Sequence, residues 1–416
     1  MESTPAATAS SGVGHGGGNE GATVLLLPIP GALGHTNPML ELGRRLAHHG
    51  LRPTFVTTRH VLSVTPPPGA PFRVAAISDG FDAGGFASCP DPAEYFSRLE
   101  AVGSETLREL LLSEEAAAVR VLVYDSHLPW AGRVARAAGV PTAALFTQPC
   151  AVNIVYGEVW AGRLALPVTD GHELLAHGAL GLELGPEDVP PFVAAPESLA
   201  VFLKTSIEQF DGVEDADDVL VNSFSDMEPK EVDYMKLTWG AKTIDWLEKQ
   251  SISSVVLVSN GSYANYDATQ LEELGNGLCN SSKPFLWVVR SDEAHKLSEQ
   301  LKVKCCFVTH CGWNSTLEAV VCGVPLVGIP HWADQPTIAK YVESMWGMGV
   351  RLRKSETGSL RSAEVERCVR EVMDGDKKDE YKSNATKCMK KAKKAMREGG
   401  TSDKHIVEFV AKYSSI

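Results

Sequence analysis

Short unbroken apolar runs, each followed by a stretch of helical pattern, recur along this chain and leave few folds open. "TVLLLPIP" (23–30) is the first, and "PTFVTT", "FRVAAI", "VRVLVYD" and "PTAALF" follow it. A strand with one wet face alternates apolar and polar residues, so a continuous apolar run implies burial on both faces. Strands of that kind alternating with helices argue an α/β fold with parallel sheets. "NPMLELGRRLAHHG" reads as such a helix, capped by Asn37, with Pro38 in its first turn and Gly50 at its end. Met39, Leu42, Leu46 and Ala47 form its apolar face.

"DVLVNSF" (218–224) closes this set, and a second opens at "SSVVLVSNGS" (253–262), continuing through "PFLWVVR", "CCFVTH" and "VPLVGIP". A chain of 416 residues can bury two cores. The expected division is a tail at 1–22, one domain at 23–243 and a second at 244–416. The Pro- and Gly-rich stretch 160–217 is expected to lie over a cleft.

Composition removes several functions. A net charge of −13 disfavours a nucleic-acid partner, because phosphate binding needs a basic surface. The lysines of "DEYKSNATKCMKKAKKAM" read as the wet face of a helix that buries Tyr381, Ala385, Cys388, Met389, Ala392 and Met396. Nine cysteines show neither a CxxC pair nor a secreted disulfide framework, which suits a reducing cytosol. The N-terminus has no basic and apolar regions of a signal peptide, and no apolar run approaches the ~18 residues of a membrane span. A cytoplasmic monomer is expected. "HGGG" (15–18) resembles an esterase oxyanion loop, but no G-x-S-x-G elbow accompanies it, and the tail is expected to be disordered.

Ligands of open parallel sheets sit beyond the carboxyl ends of the strands, so the residues just after each strand are the site candidates. "PGALGH" follows the first strand and brings His35. It is not G-x-G-x-x-G, which removes the main support for a dinucleotide-dependent dehydrogenase. Asp125 ends "VRVLVYD". An imidazole and a carboxylate at one sheet edge suit a general base with an orienting partner. A helix-capping His and a strand-end Asp fit the same two residues.

"HCGWNSTLEAVVCG" sets His310, Gly312, Trp313, Asn314, Ser315 and Glu318 at a helix start, where unpaired N–H groups and the helix dipole attract phosphate. Ser315 and Glu318 also have the spacing of a capping box, in which both merely satisfy backbone donors. The polar groups together exceed what a cap needs. "SNGS", with Gly261 and Ser262, repeats the device, and "HWADQ" puts Asp334 and Gln335 beyond another strand. A carboxylate beside an amide suits vicinal hydroxyls. A phosphate site next to a hydroxyl site describes a nucleotide sugar.

The segment "FVTHCGWNSTLEAVVCGVPLVGIPHWADQPTIAKYV" closely resembles the plant secondary-product glucosyltransferases that use UDP-sugars, and "GHTNPML", "LVYDSHLPWA", "LVNSFSDMEP" and "KPFLWVVRS" add to the match. The resemblance runs from about residue 22 to the end and is nearest to members acting on auxin- or salicylate-type compounds. It implies two facing Rossmann-like domains of the GT-B type, with acceptor mostly in the first and UDP-sugar mostly in the second. It implies His35 as general base and Asp125 as its partner. His310 would meet the β-phosphate, Asn314 and Ser315 the α-phosphate, and Glu318 the ribose. Trp313, Asp334 and Gln335 would hold the sugar, and Gly261 and Ser262 would line the diphosphate loop. The implied activity is inverting transfer of glucose from UDP-glucose, a donor substrate, to a carboxyl or hydroxyl of a small aromatic or phenolic acceptor. No cofactor and no metal are expected.

Two departures stand against this pattern. The family carries a Trp-x-Pro-Gln segment and a helix before "FVTH", whereas here "KLSEQLKVKCC" runs straight into it. At "AKTIDWLEKQ" the family has a longer linker, and Asn260 stands where it usually has an aromatic. The second domain is therefore expected to be truncated, lacking a central strand, a helix and the platform for uracil. The competing expectation is an inactive remnant.

Overall fold

The computed structural model describes residues 21–113, 118–244, 256–259, 267–280, 285–288, 308–355 and 359–414. Two parallel sheets organise them. The first holds β1 (Thr23–Leu27), β2 (Arg52–Thr58), β3 (Arg73–Ile77), β4 (Val119–Asp125), β5 (Thr142–Phe146), β6 (Asp218–Val221) and β7 (Ala241–Thr243), in the order β3-β2-β1-β4-β5-β6-β7. The second holds β8 (Val256–Ser259), β9 (Phe285–Val288), β10 (Val308–Thr309), β11 (Leu326–Gly328) and β12 (Gly349–Arg351), in the order β12-β11-β10-β8-β9. The expected α/β class and paired parallel sheets are what the chain forms. β7 and β12 were not read from the sequence; each is only three residues long and carries no apolar run.

The unbroken apolar composition of β1 follows from its two covered faces. Val24 and Leu26 pack with Met39, Leu42 and Leu46 of the helix Leu33–His48. Leu25 and Leu27, one residue out of phase, join the cluster that holds Leu99 and Leu107 of the helix Pro92–Leu112. The last helix, Thr401–Ser414, returns to the first sheet and sinks Ile406, Phe409, Val410 and Tyr413 beside Val24 and Leu26. Its Tyr413 hydroxyl donates to Asp218 at 2.7 Å and Lys412 Nζ to the same oxygen at 2.8 Å.

Three local expectations are corrected. Asn37 does not cap its helix, which already begins at Leu33 after Ala32. The His35 and Thr36 N–H groups donate to the Ala32 carbonyl, so Asn37 and Pro38 lie inside the helix. The Ser315–Glu318 capping box is also absent, because Gly312 is the cap residue of the helix Trp313–Cys322 and Ser315 sits within it. A strand missing between β9 and β10 would not be central, because β8 pairs directly with β10 on one side and β9 on the other. Such a strand could add only beyond β9, at the edge. Residues 1–20 of the expected tail, Asn260, Gly261 and Ser262 lie outside the described residues.

Candidate active site

In each sheet the strand order reverses beside its first strand, β1 with β4 in the first and β8 with β10 in the second. Ligands of open α/β sheets bind at such reversals. His35 lies in the first helical turn after β1, and Asp125 is the last residue of neighbouring β4. Ninety residues apart in sequence, they meet at 2.7 Å, His35 Nδ1 to Asp125 Oδ2. The carboxylate accepts from Nδ1–H, which leaves Nε2 as the basic nitrogen of the ring. Thr147 Oγ1, just beyond β5, lies 3.1 Å from the same Nδ1.

Asp125 is fully buried, and its second oxygen accepts from the His127 backbone N–H at 3.1 Å and lies 3.2 Å from His127 Nδ1. Burial works against the carboxylate, but the neighbouring His35 and the imidazole hydrogen bonds outweigh it, so the pKa falls well below the carboxylate range. Burial also pulls the His35 pKa down, yet the charge and hydrogen bond of Asp125, with help from Asp334, leave it raised. His127 ends lowered, mainly by burial. His35, Asp125 and His127 offer three ligand-type atoms within 4.8 Å of one another, and the carboxylate lies at hydrogen-bonding distance from both imidazoles.

On the second half, β10 ends at Thr309 and the helix Trp313–Cys322 follows at once. A Cβ on Gly312 would overlap the His310 ring, so glycine is needed for the imidazole to lie across the helix start. Cys311, just before it, has φ 61°, and Ala333 has φ 55°. Among the described residues these are the non-glycines held in the left-handed region, and they flank the cleft. Such strain persists where surrounding structure enforces it, commonly at functional sites. Asp334 is pushed up to about 7 by burial, with the Trp313 backbone N–H and His35 opposing. Glu318 is raised by desolvation at the cleft wall.

A cleft of about 790 Å³ joins the two halves. His35, His310, Gly312, Trp313, Asn314, Ser315, Glu318, Asp334 and Gln335 all line it, and Asp125 stands behind His35. Two of these also make side-chain bonds within the protein. The Trp313 indole N–H donates to the Asn222 carbonyl at 2.6 Å, so the ring also ties the halves together. Gln335 Oε1 accepts from the backbone N–H groups of His331 and Trp332 at 2.8 and 3.1 Å, ordering the loop before its own helix.

The rest of the cleft mixes aliphatic and polar residues with six aromatics, Phe86, Tyr95, Phe96, Phe192, Phe202 and Trp332. Phe192 and Phe202 come from the stretch 160–217 and pack edge-on to Trp332, so that stretch does cover the cleft. Reading the residues after every strand would have found Thr147 and Asn222 as well. His127 could have been found two residues beyond Asp125.

Two parallel α/β units meeting at a cleft, with a His–Asp pair on one side and a glycine-capped helix start on the other, define a transferase of the GT-B class. The family described as "UDP-glucoronosyl and UDP-glucosyl transferase" matches residues 241–395. UDP-glucosyltransferase UGT13248 of Hordeum vulgare subsp. vulgare is 66% identical over 475 aligned residues, covering 100% of each chain. Indole-3-acetate beta-glucosyltransferase of Zea mays is 36% identical, covering 93% of this chain and 96% of its own. The crystal structure of Os79 from O. sativa in complex with UDP and deoxynivalenol-3-glucoside superposes with a TM-score of 0.87 at 62% identity, covering 94% of this chain and 100% of that one. The chain belongs to the UDP-glycosyltransferase family.

Proposed function

We propose that the chain transfers glucose from UDP-glucose to a hydroxyl of a neutral, largely apolar small molecule, inverting the anomeric carbon. One observation carries this reading. The His35–Asp125 pair opens onto a cleft whose described lining is rich in aromatics and contains no lysine or arginine. A carboxylic acid is already ionised at neutral pH and needs no base, but it would need a cation, and the described lining offers no lysine or arginine. A hydroxyl needs the base and no cation. The deoxynivalenol-3-glucoside bound by Os79 agrees with a hydroxyl acceptor.

In this mechanism His35 Nε2 takes the hydroxyl proton as the oxygen attacks the anomeric carbon. The bond from that carbon to the phosphate oxygen breaks, and UDP leaves with the electron pair. Asp125 holds the imidazolium that forms. N–H groups at the start of Trp313–Cys322, with Asn314 and Ser315, meet the charge on the diphosphate, and Glu318 accepts from ribose hydroxyls. Asp334 and Gln335 hold the sugar. The chemistry assigns no part to a metal, and our reading is of a cytoplasmic monomer. The test offers UDP-glucose with a neutral polycyclic alcohol and with an aromatic carboxylate of similar size. Preferred formation of a β-glucoside of the alcohol supports the reading, and preferred formation of the glucose ester overturns it.

A second reading has its own observation. The alignment with the barley protein spans 475 residues against 416 in this chain, so the relative carries positions that this chain lacks. If these include the uracil platform, the chain is a remnant with weak donor binding. Base–aromatic stacking is worth roughly 1–3 kcal/mol in nucleic-acid binders, a substantial loss in affinity. UDP-glucose titration of this chain beside a version with both segments restored separates the readings, because equal affinity rejects the remnant.

A further inference from the structure

Pro38 lies inside the helix Leu33–His48 and has no N–H to give. The carbonyl four residues earlier, that of Gly34, therefore loses its intrahelical donor. Here that carbonyl accepts instead from Asn314 Nδ2 at 3.1 Å, across the cleft from the start of the Trp313–Cys322 helix. Gly34 is the residue immediately before His35. Other described side-chain bonds between the halves end elsewhere, among them Trp313 on Asn222, Trp346 on Met227, Tyr341 on Glu231, and Thr337 and Arg351 on Asp188.

An amide nitrogen carries two hydrogens, and the bond to Gly34 uses one. We infer that Asn314 is a positioning residue for His35. One of its N–H bonds holds the helical turn that carries the base, through a carbonyl that Pro38 keeps free, while its other N–H remains for a phosphate oxygen of the donor. This deepens the role given to Asn314 above and rests on His35 being the base. A donor that orients the amide thereby also steadies the base. Had residue 38 been any amino acid with an N–H, the Gly34 carbonyl would also accept within its own helix, and the turn would no longer depend on Asn314 for that bond.

The test reads His35 in the donor-free protein, so it depends on neither donor binding nor transfer. The rate at which diethyl pyrocarbonate modifies His35 is followed by peptide mass spectrometry. Asn314→Ala is expected to speed modification about 3–10-fold, the range that one lost neutral hydrogen bond permits. Asn314→Leu, similar in size but without a donor or a charge, is expected to do the same and serves if the alanine variant does not fold. Adding Pro38→Ala to Asn314→Ala supplies an N–H at position 38 and is expected to return the rate close to that of the unaltered protein. A merely structural role for either residue makes the two changes add. An unchanged rate in both Asn314 variants, or a double variant faster than the single one, overturns the proposal. Absence of transfer alongside the expected His35 rates would instead count against the proposed function alone.

Discussion

Replacing Asp125 by asparagine keeps the shape and removes one charge from a fully buried position. The carboxylate accepts from His35 Nδ1 at 2.7 Å and from the His127 N–H at 3.1 Å. In the unaltered protein, burial lowers the His35 pKa from 6.5, and Asp125 more than reverses this through its charge and hydrogen bond. With asparagine, burial is opposed only by Asp334 and a weaker, neutral hydrogen bond, so the His35 pKa is expected to fall below 6.5. A base works when unprotonated, so the acid limb of the pH–rate profile lies above 6.5 in the unaltered protein and moves to lower pH in Asp125→Asn.

The plateau should drop on the order of 10²–10⁴, because the amide neither fixes the Nδ1–H tautomer as well nor balances the imidazolium. Stability follows the same linkage. The lowered Asp125 pKa stabilises the fold above 3.8 and is lost as pH falls through its folded value. The raised His35 pKa stabilises it below 6.5 and is lost as pH rises through its folded value. The pair therefore contributes most between 3.8 and 6.5, and the variant's melting deficit should be greatest there. Rate profiles, melting curves and an NMR titration of His35 decide the matter. An acid limb that stays in place or moves upward in the variant would refute the reasoning.

Glu318→Gln should weaken UDP-glucose binding about tenfold, the cost of one charge-assisted hydrogen bond, while melting stays unchanged because Gly312 rather than a capping box starts this helix. Titration calorimetry beside a melting curve checks both halves of that statement. Gly312→Ala should drive His310 off the helix start, lowering donor affinity and costing about 1–3 kcal/mol of stability through overpacking, read from denaturant curves. Trp313→Phe leaves the Asn222 carbonyl without its indole donor and should cost about 1–3 kcal/mol, with UDP affinity changing less than stability.

The strands and the chemistry at their ends were legible in the sequence because continuous apolar runs have few other uses. β4 was read to its last residue, and β4 is what delivers Asp125. The pairing of Asp125 with His35 could be suspected from strand ends, but its 2.7 Å distance depends on β1 and β4 being neighbours, which no local pattern states. Capping signals misled twice, for the same physical reason. Asn37 and Ser315 have good cap chemistry, but each helix has already begun before them, at Leu33 and Trp313. The second role of Trp313 was hidden for a further reason. An indole at a helix start says nothing about which distant carbonyl it will reach, and Asn222 is ninety-one residues away.

The central claim is that His35 takes a proton from an acceptor hydroxyl while the opposite helix start holds UDP-glucose. It is tested most directly by incubating the protein and its His35→Ala variant with UDP-glucose and a neutral polycyclic alcohol. UDP release and the anomeric configuration of the product are measured, together with UDP affinity. The account predicts a β-glucoside from the unaltered protein, loss of at least ~10² in rate in the variant, and nearly equal UDP affinity in both. An α-linked product, or a His35→Ala protein that transfers glucose at the unaltered rate, would contradict it.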